Sequence, residues 1–142
     1  MDIEDDCEPA VHALKSWIDA IETGDIDRLE NLLSEDFVAT CDPMIGGGRI
    51  HKAQFIAYDR HIRESKIDIV KLVARRHGNT IITLLFANIM EQFEGDLGSS
   101  MPTSAELSSF LAQSPVAYSS AWSLEADSQW RCVQHHIFGP VS

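Results

Sequence analysis

The chain has 142 residues, a formal net charge of −11 and a hydrophobic fraction of 44 %. That is too apolar for a disordered chain, and long enough for one domain whose core needs neither disulfide nor metal. So negative a surface repels phosphate backbones and anionic lipid, which argues against nucleic acid and membrane as partners.

The three cysteines, Cys7, Cys41 and Cys132, are odd in number and in no zinc-like spacing. They read as reduced thiols, which points to the cytoplasm. The acidic start "MDIEDDCEP" argues against a secretory or transit peptide, and the longest apolar run, near residues 81–90, is too short to span a bilayer.

Val11, Leu14, Trp17, Ile18 and Ile21 recur at helical spacing behind Pro9, which predicts an amphipathic helix over residues 9–22. Gly24 suits its C-terminal cap and Asp25 the N-cap of a short second helix carrying Ile26, Leu29, Leu32 and Leu33. A brief strand from Phe37 to Cys41 then runs into "DPMIGGG", and a third helix is expected from about Lys52 to Ile62. After this the period becomes strand-like: Ile67 to Arg75, the long run "NTIITLLFANIMEQFEG", Val116 to Glu125, and Trp130 to Phe138 after the turn "ADSQ". Asn88 and Glu91 stand out as polar residues inside an apolar strand, and their odd separation puts them on opposite faces. Residues 95–115 read as a loose insertion in which Thr103-x-x-Glu106 is a capping box for a short helix with Leu107, Phe110 and Leu111. Helices on one side of a curled antiparallel sheet make a single α+β domain over residues 1–142.

The stretch "SWIDAIETGDIDRLENLLSEDFVATCDP", with "GGRIHKAQFIAY" and the strands ending in "HHIFGP", resembles the nuclear-transport-factor-2-like (NTF2-like) superfamily, which includes the SnoaL-like proteins and ketosteroid isomerases. Within it the chain looks most like the DUF4440-like group. The resemblance covers about Val11 to Pro140 and implies a cystatin-like cone: three N-terminal helices packed in a strongly bent sheet, with a pocket at the wide end. It also implies a homodimer as the common state. Since such folds host many activities, the site has to be argued separately.

By the same resemblance, Asp42 stands where the steroid isomerases carry their general base, Trp17 where they carry a tyrosine, and Ser120 near their second acid. An indole N–H aims differently from a phenol, and a serine is not a buried acid, so steroid-type isomerisation is disfavoured. Asp42 is open to two readings: a carboxylate base in an apolar cleft, or an Asp-Pro strand end completed by glycines. Plain alternation along the last strand puts Gln134, His136 and Phe138 on one face, which the resemblance turns toward the pocket. Tyr118, Ser120 and Trp122 are expected to join them from the preceding strand. His136 could then pair with Asp42 as a proton-transfer dyad, or be a satisfied core histidine, or His135 on the other face could meet a dimer interface. The aromatics Trp17, Tyr118, Trp122 and Phe138 read equally as core or as the floor of a site for a flat apolar ligand.

"GGGR" lacks the features of a phosphate-binding loop or dinucleotide fingerprint, and the six histidines form no ligand set, so neither cofactor nor metal is expected. The expectation is a small, apolar organic ligand, with cofactor-free isomerase, dehydratase or cyclase chemistry resting on Asp42 and His136. The alternative is a non-catalytic module using the same sheet for dimerisation or partner binding.

Overall fold

The computed structural model describes residues 2–41, 48–97, 103–112 and 115–140. Helix α1 (Glu8–Thr23) buries Val11, Leu14 and Trp17 along one face and stops at Gly24, whose φ of +73° is a left-handed conformation that a side chain would strain. Asp25 caps α2 (Ile26–Leu32), its carboxylate accepting the Arg28 N–H at 3.2 Å. Helix α3 (Lys52–Asp59) begins where the His51 N–H donates to Gln54 Oε1 at 3.1 Å. A fourth helix, α4 (Ser104–Leu111), adds to the three N-terminal ones expected. Its capping box closes as the Thr103 N–H reaches Glu106 Oε1 (3.1 Å) and the Glu106 N–H reaches Thr103 Oγ1 (3.2 Å).

The strands are β1 (Asp2–Ile3), β2 (Leu33–Cys41), β3 (Arg49–His51), β4 (Ile62–His77), β5 (Thr80–Phe93), β6 (Val116–Leu124) and β7 (Trp130–Pro140). They form one sheet in the order β1-β4-β5-β6-β7-β2-β3. β4 to β7 are an antiparallel meander, as the long apolar runs led one to expect. The early strand β2 instead pairs parallel with β7, and β1 parallel with β4, so the sheet is mixed at its margins.

Two irregularities decide which side chains face inward. In β4 the register shifts between Ile69 and Lys71, leaving Val70 unpaired and 56 % exposed. Ile67 and Ile69 before the bulge, and Leu72 and Ala74 after it, can then all face the core, which strict alternation would forbid. In β7, Cys132 pairs with Trp122 and Gln134 with Ala121, so Val133 is the extra residue and the two faces exchange there. In β5 no such break occurs. Ile81, Thr83, Leu85, Ala87, Ile89 and Glu91 all point inward, and Ile82, Asn88 and Met90 outward.

The core joins the helices to the inner face of the sheet. Trp17 stands edge-on to Phe37, Phe55 and Trp122 at 5.8–6.3 Å between ring centroids, an arrangement favoured by the aromatic quadrupole. Trp122 is fully buried and donates its indole N–H to Thr83 Oγ1 at 3.0 Å, so its one polar atom is satisfied. Among the described residues no helix is long and apolar enough to cross a membrane.

Candidate functional site

The core leaves a partly open cavity of about 110 Å³ between α1, α3, α4 and the inner face of β4 to β7. Its walls are mostly aliphatic and aromatic, with Trp17, Phe55, Phe93 and Tyr118 among them. The polar side chains that line it are Tyr58, Asp59, Glu91, Tyr118 and His135, and among the described residues no lysine or arginine joins them.

Asp59 closes α3. It lies four residues after Phe55, and that spacing puts the acid on the same inward stripe as the ring. Its Oδ2 is sealed from solvent and has no hydrogen-bond partner. Burial raises the Asp59 carboxyl well above the usual range, and the neighbouring Glu91 adds to the effect. Glu91 ends the inward set of β5, is 8 % exposed, and accepts a hydrogen bond from Ser65 Oγ at 2.8 Å. Burial pushes its carboxyl up to about 7, opposed by the Ser65 bond and reinforced by Glu22 at the end of α1. Burial thus biases Asp59 toward its protonated, proton-donating form, and Glu91, at about 7, is poised to take or give a proton.

His135 reaches the cavity from β7. Its Nδ1 lies 2.9 Å from Ser120 Oγ, and its ring stacks on Tyr118 at 5.2 Å and tilts against Trp17 at 4.7 Å. Burial, then the neighbouring His136, pushes its pKa down to about 3, so it works as a neutral imidazole.

Of the residues singled out from the sequence, Trp17 and Tyr118 line this cavity. Ser120 stands behind it as the partner of His135, and Trp122 is sealed in the core beside Trp17. Gln134, His136 and Phe138 occupy the opposite face, correcting the expected parity. Gln134 is exposed, His136 Nδ1 lies 2.6 Å from Thr40 Oγ1, and Phe138 is 46 % exposed with its ring edge-on to His136. The physical reason is the bulge at Val133, which turns His135 and Ile137 inward in their place. Asp42 lies outside the described residues. Between Asn88 and Glu91, Glu91 faces the cavity and Asn88 is exposed.

Asp59 and His135 were not singled out. Asp59 was legible in its spacing from Phe55, whereas nothing in the sequence marks the bulge that brings His135 inward. Among the described residues, no group of three or more His, Cys, Asp or Glu side chains is placed to hold a metal ion.

No protein-family model matches the sequence, and no curated protein matches it either. Solved structures do. An NTF2-like protein from Cytophaga hutchinsonii superposes with a TM-score of 0.73 over 96 % of this chain and 99 % of its own, at 16 % identity. The chain has an NTF2-like fold. A protein of that family from Streptomyces avermitilis, named provisionally as a dehydratase, matches at TM-score 0.70 and 14 % identity, over 96 % of this chain and 97 % of its own. A protein from Exiguobacterium sibiricum, named provisionally as a calcium/calmodulin-dependent kinase II association domain, matches at TM-score 0.72 and 12 % identity, over 100 % and 98 %. Those two names belong to different functional classes, so the NTF2-like fold by itself selects neither.

Proposed function

We propose that the cavity binds one small, largely apolar organic molecule, and that Asp59 and Glu91 move a proton on it without a cofactor, as an isomerase, dehydratase or cyclase does. The observation that carries this reading is a pair of carboxyl groups in an apolar cavity that no lysine or arginine among the described residues lines. A fold selected for stability alone gains nothing from such a pair, because each buried carboxyl costs desolvation that no ion pair offsets. For catalysis the arrangement is useful. Glu91, ionised in part near neutrality, accepts a proton from carbon or oxygen, while the Asp59 carboxyl, biased by burial toward its protonated form, donates to an oxygen that gains charge. His135, fixed by Ser120, supplies a neutral polar group on the far wall. Asp42 keeps its place as a candidate base on the resemblance alone. His136, which faces away from the cavity, gives way to His135.

A second reading, a dimerisation or partner-binding module, is favoured by the outer face of the sheet. Ile82, Met90 and Phe138 are all exposed there, and one structural relative is named for association. The two readings are compatible, since one uses the inner face and the other the outer.

The test is a binding screen of small ketones, alcohols and aromatics by thermal shift. Deuterium incorporation into each bound compound in D2O would follow, with Asp59→Asn and Glu91→Gln in parallel. The expected outcome is a compound that raises the wild-type midpoint and exchanges a proton at least about 100-fold faster with wild type than with Glu91→Gln. Exchange unaffected by both substitutions would remove the catalytic reading.

A further inference from the structure

The polar groups of the cavity are unevenly matched. Among the described residues, two carboxyls line it with no cation beside them, and Asp59 Oδ2, sealed from solvent, has no donor. Glu91 has the Ser65 hydroxyl as a donor, and Glu22 adds negative charge nearby. The remaining walls present the aromatic rings of Trp17, Phe55, Phe93 and Tyr118. Ring faces attract cations, and the attraction grows where water is excluded. What the cavity lacks is thus a positive group with several donors on an apolar body.

We infer that the ligand of this cavity carries a single basic amine, seated as an ammonium between Asp59 and Glu91 with its hydrocarbon part among Trp17, Phe55 and Tyr118. This deepens the proposed function and rests on its reading of the cavity as a ligand site. An ammonium offers three donors and no acceptor, so it supplies the partner that Asp59 Oδ2 lacks and adds a charge-assisted bond to Glu91. A carboxylate or phosphate ester would set a negative charge against two carboxyls, with no lysine or arginine among the described residues to receive it. The volume of about 110 Å³ sets the size. It is below the roughly 150 Å³ of an apolar cavity known to hold benzene, so a single ring reaching toward the open side, or a short branched chain, is the largest body that fits.

Seating the ammonium also has a proton consequence. Glu91, pushed up to about 7, holds a proton at about pH 6 in the empty cavity, and burial biases Asp59 the same way, so a cation between the two carboxyls displaces protons into solvent. The other titratable groups facing the pair are Glu22 from α1, Tyr58 from α3, Tyr118 from β6 and His135 from β7. Of these, His135 is neutral, its pKa pushed down to about 3 by burial and then by His136.

The experiment is calorimetric titration of the full chain at about pH 6 in two buffers of different ionisation enthalpy. The probes are benzylamine, benzyl alcohol and benzoate, each alone. Benzylamine should bind at least about tenfold more tightly than benzyl alcohol and release protons in both buffers, while benzoate should not bind. Glu91→Gln and Asp59→Asn should each cut the ratio of amine to alcohol affinity and the proton release on amine binding. Both variants replace a desolvated acid with a neutral amide of the same shape, so folding is not at risk. Equal binding of amine and alcohol, or an amine preference that persists in the double variant, overturns the inference and leaves the cavity a ligand site. Failure of all three probes overturns the inference and the ligand reading together.

Discussion

At the start of β7, Arg131 donates to Glu125 Oε1 and Asp127 Oδ1, each at 2.9 Å, and to the Asn31 carbonyl at 2.9 Å, while Ser34 Oγ donates to Glu125 Oε2 at 2.7 Å. Four residues along the same strand, His135 shares a cavity with Asp59 and Glu91 and with no lysine or arginine among the described residues. The first cluster keeps its groups charged and paired. Arg131 holds the Asp127 carboxyl below its usual range, and its own guanidinium is held up in turn, first by Glu125. The second keeps its groups neutral by burial. The fold can evidently supply a cation to a carboxylate within a few ångströms of a strand, and at the cavity it does not. Burial of ionisable groups there costs stability at both ends of the pH scale, through His135 in acid and Glu91 in base, and pH is therefore the lever that separates the two regions.

The largest effect expected is on the acid side. His135 has a folded pKa of about 3 against 6.5 for the free side chain, so the unfolded chain binds its proton first. Its contribution is present above pH 6.5 and is lost as pH falls toward 3, a change of about 5 kcal/mol if the whole window is crossed. In His135→Gln, chemical denaturation between pH 7 and 4 should show a smaller loss of stability than in wild type, whatever packing the substitution sacrifices at pH 7. Parallel slopes for the two proteins would mean that the imidazole is not held neutral.

The next effect has the opposite sign. Glu91 has a folded pKa of about 7 against 4.5, so the folded chain keeps its proton longer. Stability attached to it is complete below pH 4.5 and is lost as pH rises through 7. Glu91→Gln should therefore be more stable than wild type at pH 8 by up to about 3 kcal/mol, and should match it near pH 4. A variant less stable than wild type at pH 8 would show that the carboxylate has a partner at that pH after all.

The helices, their caps and the four long strands were legible because each rests on local chemistry. Pro9 and Gly24 bound α1, the box of Thr103 and Glu106 starts α4, and the apolar runs set β4 to β7. Glu91 could be noticed as a charge in an apolar strand, and its unbroken parity with Ile81, Leu85 and Ile89 carries it inward. What local reasoning did not reach is register. One extra residue at Val133 exchanges the faces of β7, and with them His135 for His136, Ile137 for Phe138. The parallel pairings of β1 and β2 are of the same kind, since nothing in a two-residue or nine-residue strand names its distant neighbour.

The smallest effects belong to the paired cluster, and they sharpen the contrast. Arg131 is 17 % exposed and serves Glu125, Asp127 and Asn31 at once, so Arg131→Ala strips donors from several acceptors and should cost about 2 kcal/mol at pH 7. Asp127 is 54 % exposed, and its loss leaves Arg131 still bonded to Glu125 and the Asn31 carbonyl. Asp127→Asn should therefore move the thermal midpoint by no more than about one degree, the ordinary result for an exposed ion pair. The comparison turns on salt as well as on size. Raising ionic strength should shrink the Asp127 effect further and leave the Glu91→Gln difference at pH 8 nearly intact, because burial shields the cavity pair from solvent ions. If salt erased the Glu91 difference instead, its raised proton affinity would be a surface effect, and the contrast between a paired and an unpaired region would collapse.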